Sequence, residues 1–423
     1  MYKTGNIKVS VGGPETDLGT AVARSSRLPI TGYVDVGQNA NKAPSDVITG
    51  RNTVKANYID SIDLGMELPM ELYCEKGTGL LMVSAIGQDL ATPAQVAGAV
   101  VLTYTGAEAS AKIVVSATTV TASIGDLGSE VVDDNFGASG VYTLDAVGAD
   151  VTAMTGFTGY TCEKLFGANL TVTTSKGYAI TATQAAGNSV IIYFTSVDSG
   201  VYLHRFTPVL TNTERPTLSF QVDGTGLSNE ILAGSVVDKI SLSADLKGRV
   251  AVSASVVGTL VTTGAATEVS LSEKKPMKFA DGKIYLAGTS QTFVKSVSAD
   301  ISNNHSTDEG FGIGSLYKQD HSKGMFGVTG KLTVRSTTST EAEYAKRISE
   351  EQSSLTFLFQ GDDLTASVPE MLLLRIPHVE ISASKTGGDV GIDTEFTFDM
   401  VDPDSYDDVL TIDMLTTDSV KYN

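Results

Sequence analysis

Apolar and polar residues alternate with a period of two along several long stretches of this chain. The clearest stretch runs from Arg215 to Gly258, and a second runs from Val294 to Val334. Successive side chains of a strand point to opposite faces of a sheet, so this pattern predicts long β-strands that each bury one face. In the first stretch, the positions predicted to share a buried face are Ile240, Leu242, Ala244, Leu246, Val250, Val252, Ala254 and Val256.

The N-terminal region combines one predicted strand with polar segments. Residues 61–73 alternate and predict a strand, in which Pro69 indicates a sheet edge or a bulge because proline has no N–H. Residues 36–60 are polar with little periodicity and predict a long loop, and residues 1–35 are expected to be extended. Further strands are predicted in the sequences SLTFLFQG, LLRIPHVEISAS and TEFTFDM.

Two helices are predicted from local signals. Thr78–Ile86 is apolar and is followed by Gly87, a typical C-terminal cap, which predicts a short buried helix. Thr340 lies three residues before Glu343, the spacing of a capping box, and Glu343 lies four residues before Arg347. The second helix is therefore predicted to begin at Thr340. Its expected apolar stripe consists of Tyr344, Ala345 and Ile348.

The middle of the chain differs in composition from both flanks. It is rich in Ala, Thr, Gly and Val, with short β-branched runs separated by glycines and one weak helical segment, Thr143–Met154. We interpret it as a small α+β domain inserted into a mainly β protein. The predicted division is a first part at residues 1–92, the inserted domain at residues 93–198, and a second part at residues 199–423.

The charge is strongly negative and unevenly distributed. The formal net charge is −19, and residues 341–423 contain 5 Lys or Arg against 18 Asp or Glu, a local net charge of −13. This balance argues against binding nucleic acid by counterion release, which requires basic side chains on phosphates. Acidity on a confined wall would instead repel DNA, although solubility alone is an alternative explanation.

Composition also indicates the cellular compartment in which the protein is made. The two cysteines, Cys74 and Cys162, exclude a disulfide framework and are expected to be buried thiols. No apolar run reaches the roughly 18–20 residues that a membrane helix needs, and the N-terminal sequence lacks the apolar core of a signal peptide. We therefore expect synthesis in a host cytoplasm and no membrane insertion.

No recognisable catalytic or cofactor-binding motif is present. His305, Asp308, Asp320 and His321 lie in a glycine-rich segment where a metal site is conceivable, but a solvated loop is the favoured interpretation. Residues 402–408 (DPDSYDD) lack the glycine and closing glutamate of a calcium loop, and GFGIGSL lacks the third glycine of a dinucleotide fingerprint. We expect no catalytic residues, no metal and no cofactor.

Four stretches together resemble the tail tube proteins of long-tailed bacteriophages. They are IDLGMELPMELYCEKGTGLLMVSAIGQ, VYLHRFTPVLTNTERPTLSFQVDG, ILAGSVVDKISLSADLKGRVAVSASVVG and VSADISNNHSTDEGFGIGSLYKQDHSKGMFGVTGKLTVRS, followed by the helix near Glu341. The resemblance covers residues 1–90 and 199–423. It implies a tail-tube-type β-sandwich or half-barrel with a flanking helix, built into a virion tail.

The resemblance further implies self-association into stacked, hexameric rings whose acidic lumen passes DNA without binding it specifically. Other tail proteins (tape measure, tail terminator, baseplate or tip) are the implied partners. Residues 36–60 and the termini are candidates for ring-to-ring contacts, and arms at residues 1–35 and 36–60 are expected to be disordered before assembly and to order on it. Deleting residues 40–55 should therefore leave a folded monomer that cannot polymerise. The inserted domain is expected on the outer surface, so removing residues 93–198 should preserve assembly. The alternatives are an adhesin-like surface-binding protein and a β-rich enzyme.

Overall fold

The protein is mainly β, as the sequence predicted. The computed structural model describes residues 7–44, 57–89, 93–104, 111–115, 120–124, 129–133, 160–167, 182–184, 189–195, 199–209, 215–224, 229–267, 269–272, 274–306, 309–349, 351–365, 368–388, 391–401 and 409–422. Two α-helices are described, α1 (Lys76–Ile86) and α2 (Thr338–Ala345).

The strands form one large antiparallel sheet and one small sheet. In chain order they are β1 (Lys8–Gly12), β2 (Ser26–Arg27), β3 (Gly37–Pro44), β4 (Asn57–Glu71), β5 (Gly87–Asp89), β6 (Ala94–Tyr104), β7 (Ala111–Val115), β8 (Val120–Ile124), β9 (Ser129–Asp133), β10 (Tyr160–Phe166), β11 (Ala182–Gln184), β12 (Ser189–Thr195), β13 (Tyr202–Pro208), β14 (Leu218–Asp223), β15 (Glu230–Asp245), β16 (Val250–Gly258), β17 (Leu260–Thr263), β18 (Gly282–Leu286), β19 (Thr289–Ser290), β20 (Val294–Ser302), β21 (Gly327–Arg335), β22 (Ser353–Thr365), β23 (Val368–Gly388), β24 (Gly391–Met400) and β25 (Thr411–Thr416).

The large sheet folds over on itself to form two facing layers. The first layer has the order β3-β4-β16-β15-β20-β21-β24 and ends in the second half of β23. The second layer has the order β18-β22-β23-β25-β13, so the 21-residue strand β23 belongs to both. Leu242 and Val297 of the first layer line a narrow space together with Phe357 and Leu374 of the second. The two apolar faces therefore meet in one sandwich core.

The predicted period-two pattern is confirmed in β15 and β16, with one exception. Seven of the eight predicted positions are buried, from Ile240 to Val256, whereas Leu246 is 56% exposed. Leu246 lies in the turn between the two strands, next to Lys247, whose φ is +67°. The alternation of apolar and polar residues continues through the turn in the sequence. The chain reverses direction there, however, so Leu246 does not belong to either face of the sheet.

A third layer covers the outer side of the second. Strand β6 pairs with β10 and β12 and also joins β13. A separate apolar cluster forms between them, and its members are Val96, Ala99, Val101, Leu165, Phe166, Ile191, Tyr193, Val201, Leu203, Leu358, Val368, Met371, Leu373 and Leu415. The second layer is thus buried on both faces. Three strands from the predicted inserted domain pack against it, while β7, β8, β9 and β11 form the separate small sheet.

The helix α1 matches the prediction closely. It ends at Ile86, and Gly87 follows with φ of +125°, which L side chains rarely adopt. Every residue from Gly77 to Ile86 is buried, because α1 packs against β15, β13 and β5 as well as β1. Gly79 provides room for the ring of Tyr422, since an added Cβ would lie 2.3 Å from Tyr422 Cε2.

The N-cap of the second helix lies three residues earlier than predicted. Thr337 is its N-cap, and the capping box pairs Thr337 with Thr340 instead of Thr340 with Glu343. Glu343 is buried and accepts a hydrogen bond from Ser353 Oγ at 2.6 Å. Ile348 is 85% exposed, so the predicted apolar stripe is wrong at that position. Threonine can fill either end of a capping box, and only packing against β23 and β24 decides which register forms.

The prediction of a loop at residues 36–60 is also wrong for the part that the structure describes. Gly37–Pro44 is strand β3, and it pairs with residues 57–65 of β4. The expectation that the N-terminal arm orders only on assembly fails too for its described residues 7–35, since β1 pairs with β14 over five residues within the subunit. The sequence pattern could not predict β3, because a strand that is exposed on both faces shows no alternation of apolar and polar residues.

Pro69 lies in β4, and the direction of its backbone groups agrees with the predicted position at a sheet edge. The carbonyl of Pro69 accepts the Thr31 N–H at 2.9 Å, on the side away from β16. The N and O of one strand residue point to the same side, so the ring nitrogen of Pro69 also points away from β16. No ladder hydrogen bond to β16 is therefore lost, and the register across Ser253 continues without a bulge.

Candidate functional site

The outward side of the first layer is an unusually uniform polar surface, here named the polar face. It consists of the outward positions of β4, β16, β15, β20, β21, β24 and the second half of β23. Small hydroxyl side chains dominate it, namely Ser241, Ser243, Ser253, Ser255, Ser296, Ser298, Ser302, Thr329, Thr333, Thr397, Ser382 and Ser384. No position in this set carries an aromatic ring, so the face is flat and hydrophilic.

Strand register aligns these side chains in rows across the sheet. One row crosses six strands in the order Ser253, Ser241, Asp300, Thr329, Asp399 and Glu380. The next row contains Ala251, Ser243, Ser298, Lys331, Thr397 and Ser382. Each row runs perpendicular to the strands, so the face forms bands of hydroxyl groups with scattered charges.

The net charge of the polar face is negative. Its acidic members are Asp63, Glu67, Glu71, Asp245, Asp300, Glu380, Asp393, Glu395 and Asp399, and its basic members are Lys239, Lys331 and Arg335. Both lysines pair with acids of the face, Lys239 Nζ with Asp300 at 3.1 Å and Lys331 Nζ with Glu395 at 3.7 Å. These lysines are 43% and 62% exposed, so the pairs contribute little to stability, but they neutralise the positive charge that a phosphate would meet.

The first layer has two open edges within the subunit. Among the described residues, no strand pairs with the outer side of β3, or with residues 380–388 of β23 on the side away from β24. The His378 carbonyl accepts the Val401 N–H, so even-numbered residues of this part of β23 bond to β24. Odd-numbered residues such as Ala383 therefore direct their N–H to the open edge. Open edges of this length are sites for pairing with another strand.

The two ends of the first layer differ. At one end, here named the arm end, β3 and residues 57–63 of β4 extend beyond β16 as a hairpin arm. The Ile62 N–H of this arm donates to the Leu316 carbonyl in the glycine-rich segment. Four large apolar side chains are exposed in these two segments, Tyr58, Ile59, Ile313 and Leu316.

The opposite end, here named the turn end, carries its own exposed apolar side chains. Leu246 lies in the β15–β16 turn, Phe293 precedes β20, and Ile392 begins β24. Backbone hydrogen bonds keep them at one end of the sheet, from Leu246 N to Lys295 O, from Arg335 N to Phe293 O and from Ser336 N to Ile392 O. The subunit thus has exposed apolar groups at both ends of the polar face, and the two sets differ in residue and shape.

The histidines do not form a metal centre in the part of the chain that the structure describes. His305 and His321 approach each other, with ring centroids 6.0 Å apart, but no group of three potential ligand side chains is found there. Asp308 and residues 402–408 lie outside the described residues. Residues 310–316 form bends and turns and do not lead into a helix, so the segment lacks the context of a phosphate loop.

One buried polar cluster gave no signal in the sequence. His204 is 0% exposed, and its Nδ1 lies 2.8 Å from Asp89 Oδ2 while its Nε2 lies 2.9 Å from the Asp418 carbonyl oxygen. The Tyr422 ring stacks on the imidazole at a centroid distance of 4.3 Å. This cluster fastens the C-terminal segment against β5 and β13. It lies inside the fold and has a structural role.

Comparison with known proteins gives one finding on the family. A family model described as phage tail tube protein matches residues 5–400, nearly the whole chain. No curated protein matches the sequence. Among the described residues, the structure contains no helix with the length and apolar composition that crossing a bilayer requires.

Proposed function

Because this chain belongs to the phage tail tube protein family, a structural and non-enzymatic family of the virion tail, we propose that its polar face lines the bore of a tube built from stacked rings. The rings are hexameric and are made of identical subunits. The observation that carries this proposal is the polar face itself. It is flat, hydroxyl-rich and acidic, and it spans a sheet with an open edge on each side.

Ring closure would use the two open edges of the first layer. The edge of β23 in one subunit pairs with the edge of β3 or β4 in the next, so that the sheets join into one barrel. A closed ring leaves no unpaired strand, which removes the aggregation risk of an exposed edge. The polar faces then become continuous around the bore.

The chemistry of the polar face suits a conduit for DNA. A phosphate backbone binds proteins through lysine and arginine side chains that displace its counterions. Lys239 and Lys331 are paired with carboxylates of the face, and acidic side chains outnumber basic ones on it by nine to three. DNA would therefore be repelled evenly by the wall and would pass without specific binding.

Stacking of rings would use the two ends of the first layer. Exposed apolar groups occur on the arm end and on the turn end, and a contact between unlike surfaces on opposite ends does not close on itself. Repetition of such a contact produces an open filament of rings. Self-assembly and contact with other tail proteins at the tube ends follow from this arrangement.

A charge substitution in the bore tests the function directly. We expect tubes of the Ser241→Lys/Ser298→Lys double variant to retain a short fluorescent DNA duplex that wild-type tubes release. Each subunit adds two positive charges to the polar face, and retention should fall steeply with salt. DNA retention is measured by co-sedimentation at increasing salt. The matched control is Thr289→Lys/Ser290→Lys, which adds two charges on the exposed strand β19 of the second layer. Equal retention by both variants would refute the placement of the bore.

A proline on the open edge tests ring closure. We expect Ala383→Pro to fold with a stability within about 1–2 kcal/mol of the wild type, because the lost N–H faces the open edge. The same variant should form no rings, since an incoming strand loses a hydrogen bond and meets the proline ring. Thermal unfolding reports the fold, and negative-stain electron microscopy reports the rings. The control Ala383→Ser keeps the N–H and should assemble. Rings of normal size from Ala383→Pro would contradict the assignment of this edge.

A further inference from the structure

A second polar region, away from the polar face, surrounds a cavity of about 250 Å³ between the N-terminal loop and the glycine-rich segment. Its charged and titratable lining residues are Glu15, Arg215, His305, Asp320, His321 and Lys323. The tube proposal assigns no role to this cavity.

The cavity contains a buried positive charge that has no acidic partner among the described residues. Arg215 is 6% exposed, and no described carboxylate lies within ion-pair distance of it. Its NH2 donates to Asn303 Oδ1 at 3.2 Å and its NH1 donates to the Ile86 carbonyl at the end of α1. Within the described part of the chain, the Nε–H of Arg215 has no acceptor. Burial lowers the pKa of Arg215 to about 10, which shows how much the charge lacks solvation.

The two acids of the lining are already engaged by other donors. The Glu15 carboxylate accepts the Gly234 N–H at 3.0 Å, the Gly19 N–H at 3.1 Å and the Ser219 hydroxyl at 2.5 Å. Asp320 Oδ1 accepts the His321 N–H at 2.7 Å. Neither carboxylate accepts a hydrogen bond from Arg215, so neither satisfies its Nε–H.

His305 adds a second unsatisfied group. Its Nδ1 lies 3.3 Å from the Ser322 carbonyl and can only donate to that oxygen. In the neutral ring Nε2 then carries a lone pair, and no described residue provides a hydrogen-bond partner for this buried atom. Burial lowers the pKa of His305, and Arg215 and Lys323 lower it further, while Asp238 and the Ser322 carbonyl oppose them. His321, whose ring lies nearby, is also held towards its neutral form by burial.

We propose that this cavity binds an oxyanion, with Arg215 and a protonated His305 as its donors and Lys323 supplying further positive charge. The chemistry is that of a sulfate, a phosphate or a carboxylate, and the carboxylate could belong to a second copy of this acidic chain. A bound oxyanion accepts a hydrogen bond from the Arg215 Nε–H. Its negative charge also stabilises the protonated form of His305, in which Nε2 carries a hydrogen and can donate to the anion. Binding therefore takes up a proton.

Proton uptake sets the sign of the pH dependence. The empty cavity holds His305 neutral at neutral pH, whereas a bound anion raises its pKa, so affinity must increase as pH falls. Between the two pKa values, linkage of one proton makes binding about tenfold tighter for each unit of pH. Sulfate is the suitable probe because its own charge does not change near neutral pH.

The test is a calorimetric titration of the unassembled full-length protein with sodium sulfate at about pH 8 and pH 6, at constant ionic strength. We expect saturable binding at the lower pH, weaker binding at the higher pH, and loss of at least about fivefold in affinity in His305→Asn. Asparagine can still donate to the Ser322 carbonyl but has no group at the position of Nε2. Lys323→Met should weaken binding similarly, whereas Lys283→Met, which removes a distant charge, should not.

Three outcomes separate the possibilities. If sulfate binds as expected but does not slow assembly, the occupant is a free anion. If sulfate slows assembly of the wild type and not of Lys323→Met, the occupant is a carboxylate of a second copy. Absence of saturable sulfate binding at both pH values, or equal binding by wild type and His305→Asn, overturns the proposal. The titration needs no tubes, so its result is independent of whether the tube proposal holds.

Discussion

Replacing residues 41–61 with a two-residue Asn-Gly turn should give a folded protein that forms no tubes. Ala40 and Ile62 are direct partners in the β3–β4 register, so a tight turn can join them without disturbing the rest of the sheet. The change removes the outer arm with Tyr58 and Ile59 but retains the part of β4 that pairs with β16. Isolated rings are the largest assembly expected, because the end-to-end contact is lost while residues 37–40 of β3 and residues 62–71 of β4 remain available for ring closure.

The register also improves on the simpler deletion suggested by the sequence. Removing residues 40–55 would leave residues 57–62 of β4 without their partners in β3, and misfolding could then be mistaken for an assembly defect. Circular dichroism and thermal unfolding should match the wild type, and light scattering with electron microscopy should show no filaments. A suitable control substitutes Asn39→Ser, a small change at the base of the arm. Normal tubes from the shortened protein would show that the arm does not carry stacking.

Removing residues 93–198 should abolish soluble expression, contrary to the expectation from sequence alone. The deletion takes away β6, β10 and β12, which cover the outer side of the second layer. Leu203, Met371, Leu373 and Leu415 would then face water. Exposing one such side chain costs about 1.5–3 kcal/mol, and four exceed the typical net stability of about 5–15 kcal/mol at its lower end.

A buried polar network adds to the cost of that deletion. Tyr193 of β12 donates to Asp413 Oδ2 at 2.8 Å, and Arg205 binds the same carboxylate through two donors at 2.6 and 2.8 Å. Asp413 is 1% exposed, so removing Tyr193 leaves a buried carboxylate with one donor fewer. Loss of a partner from a buried, hydrogen-bonded charge typically costs a few kcal/mol.

A narrower deletion provides the matched control. Tyr104 and Tyr160 are register partners in β6 and β10, so residues 105–159 can be replaced by a two-residue turn. This variant keeps all three strands of the third layer and should remain soluble and form tubes. Solubility, unfolding temperature and electron microscopy distinguish the two variants. If the wide deletion folded and assembled like the wild type, the third layer would be dispensable, and the proposed boundaries at residues 92 and 199 would stand unchanged.

The sequence by itself determined the mainly β class, the β15–β16 hairpin and helix α1 with its Gly87 cap, and its four patterned stretches pointed to the family. These features depend on local causes, namely side-chain alternation in half-buried strands and the positive φ that glycine allows. The family match to residues 5–400 confirms the resemblance that those stretches carried. The sequence also contained no recognisable metal-binding or catalytic motif, but the absence of a motif does not by itself exclude such a site.

Other features were decided only by the tertiary structure. Strand β3 has no apolar period because both of its faces are exposed, so only pairing with β4 reveals it. The polar face required the register of six strands, since hydroxyl residues far apart in sequence become neighbours only across a sheet. The burial of Arg215, His204 and Asp413 likewise arises from packing between distant segments. Local patterns specify which face of an element is apolar, whereas long-range packing decides which faces and edges remain open.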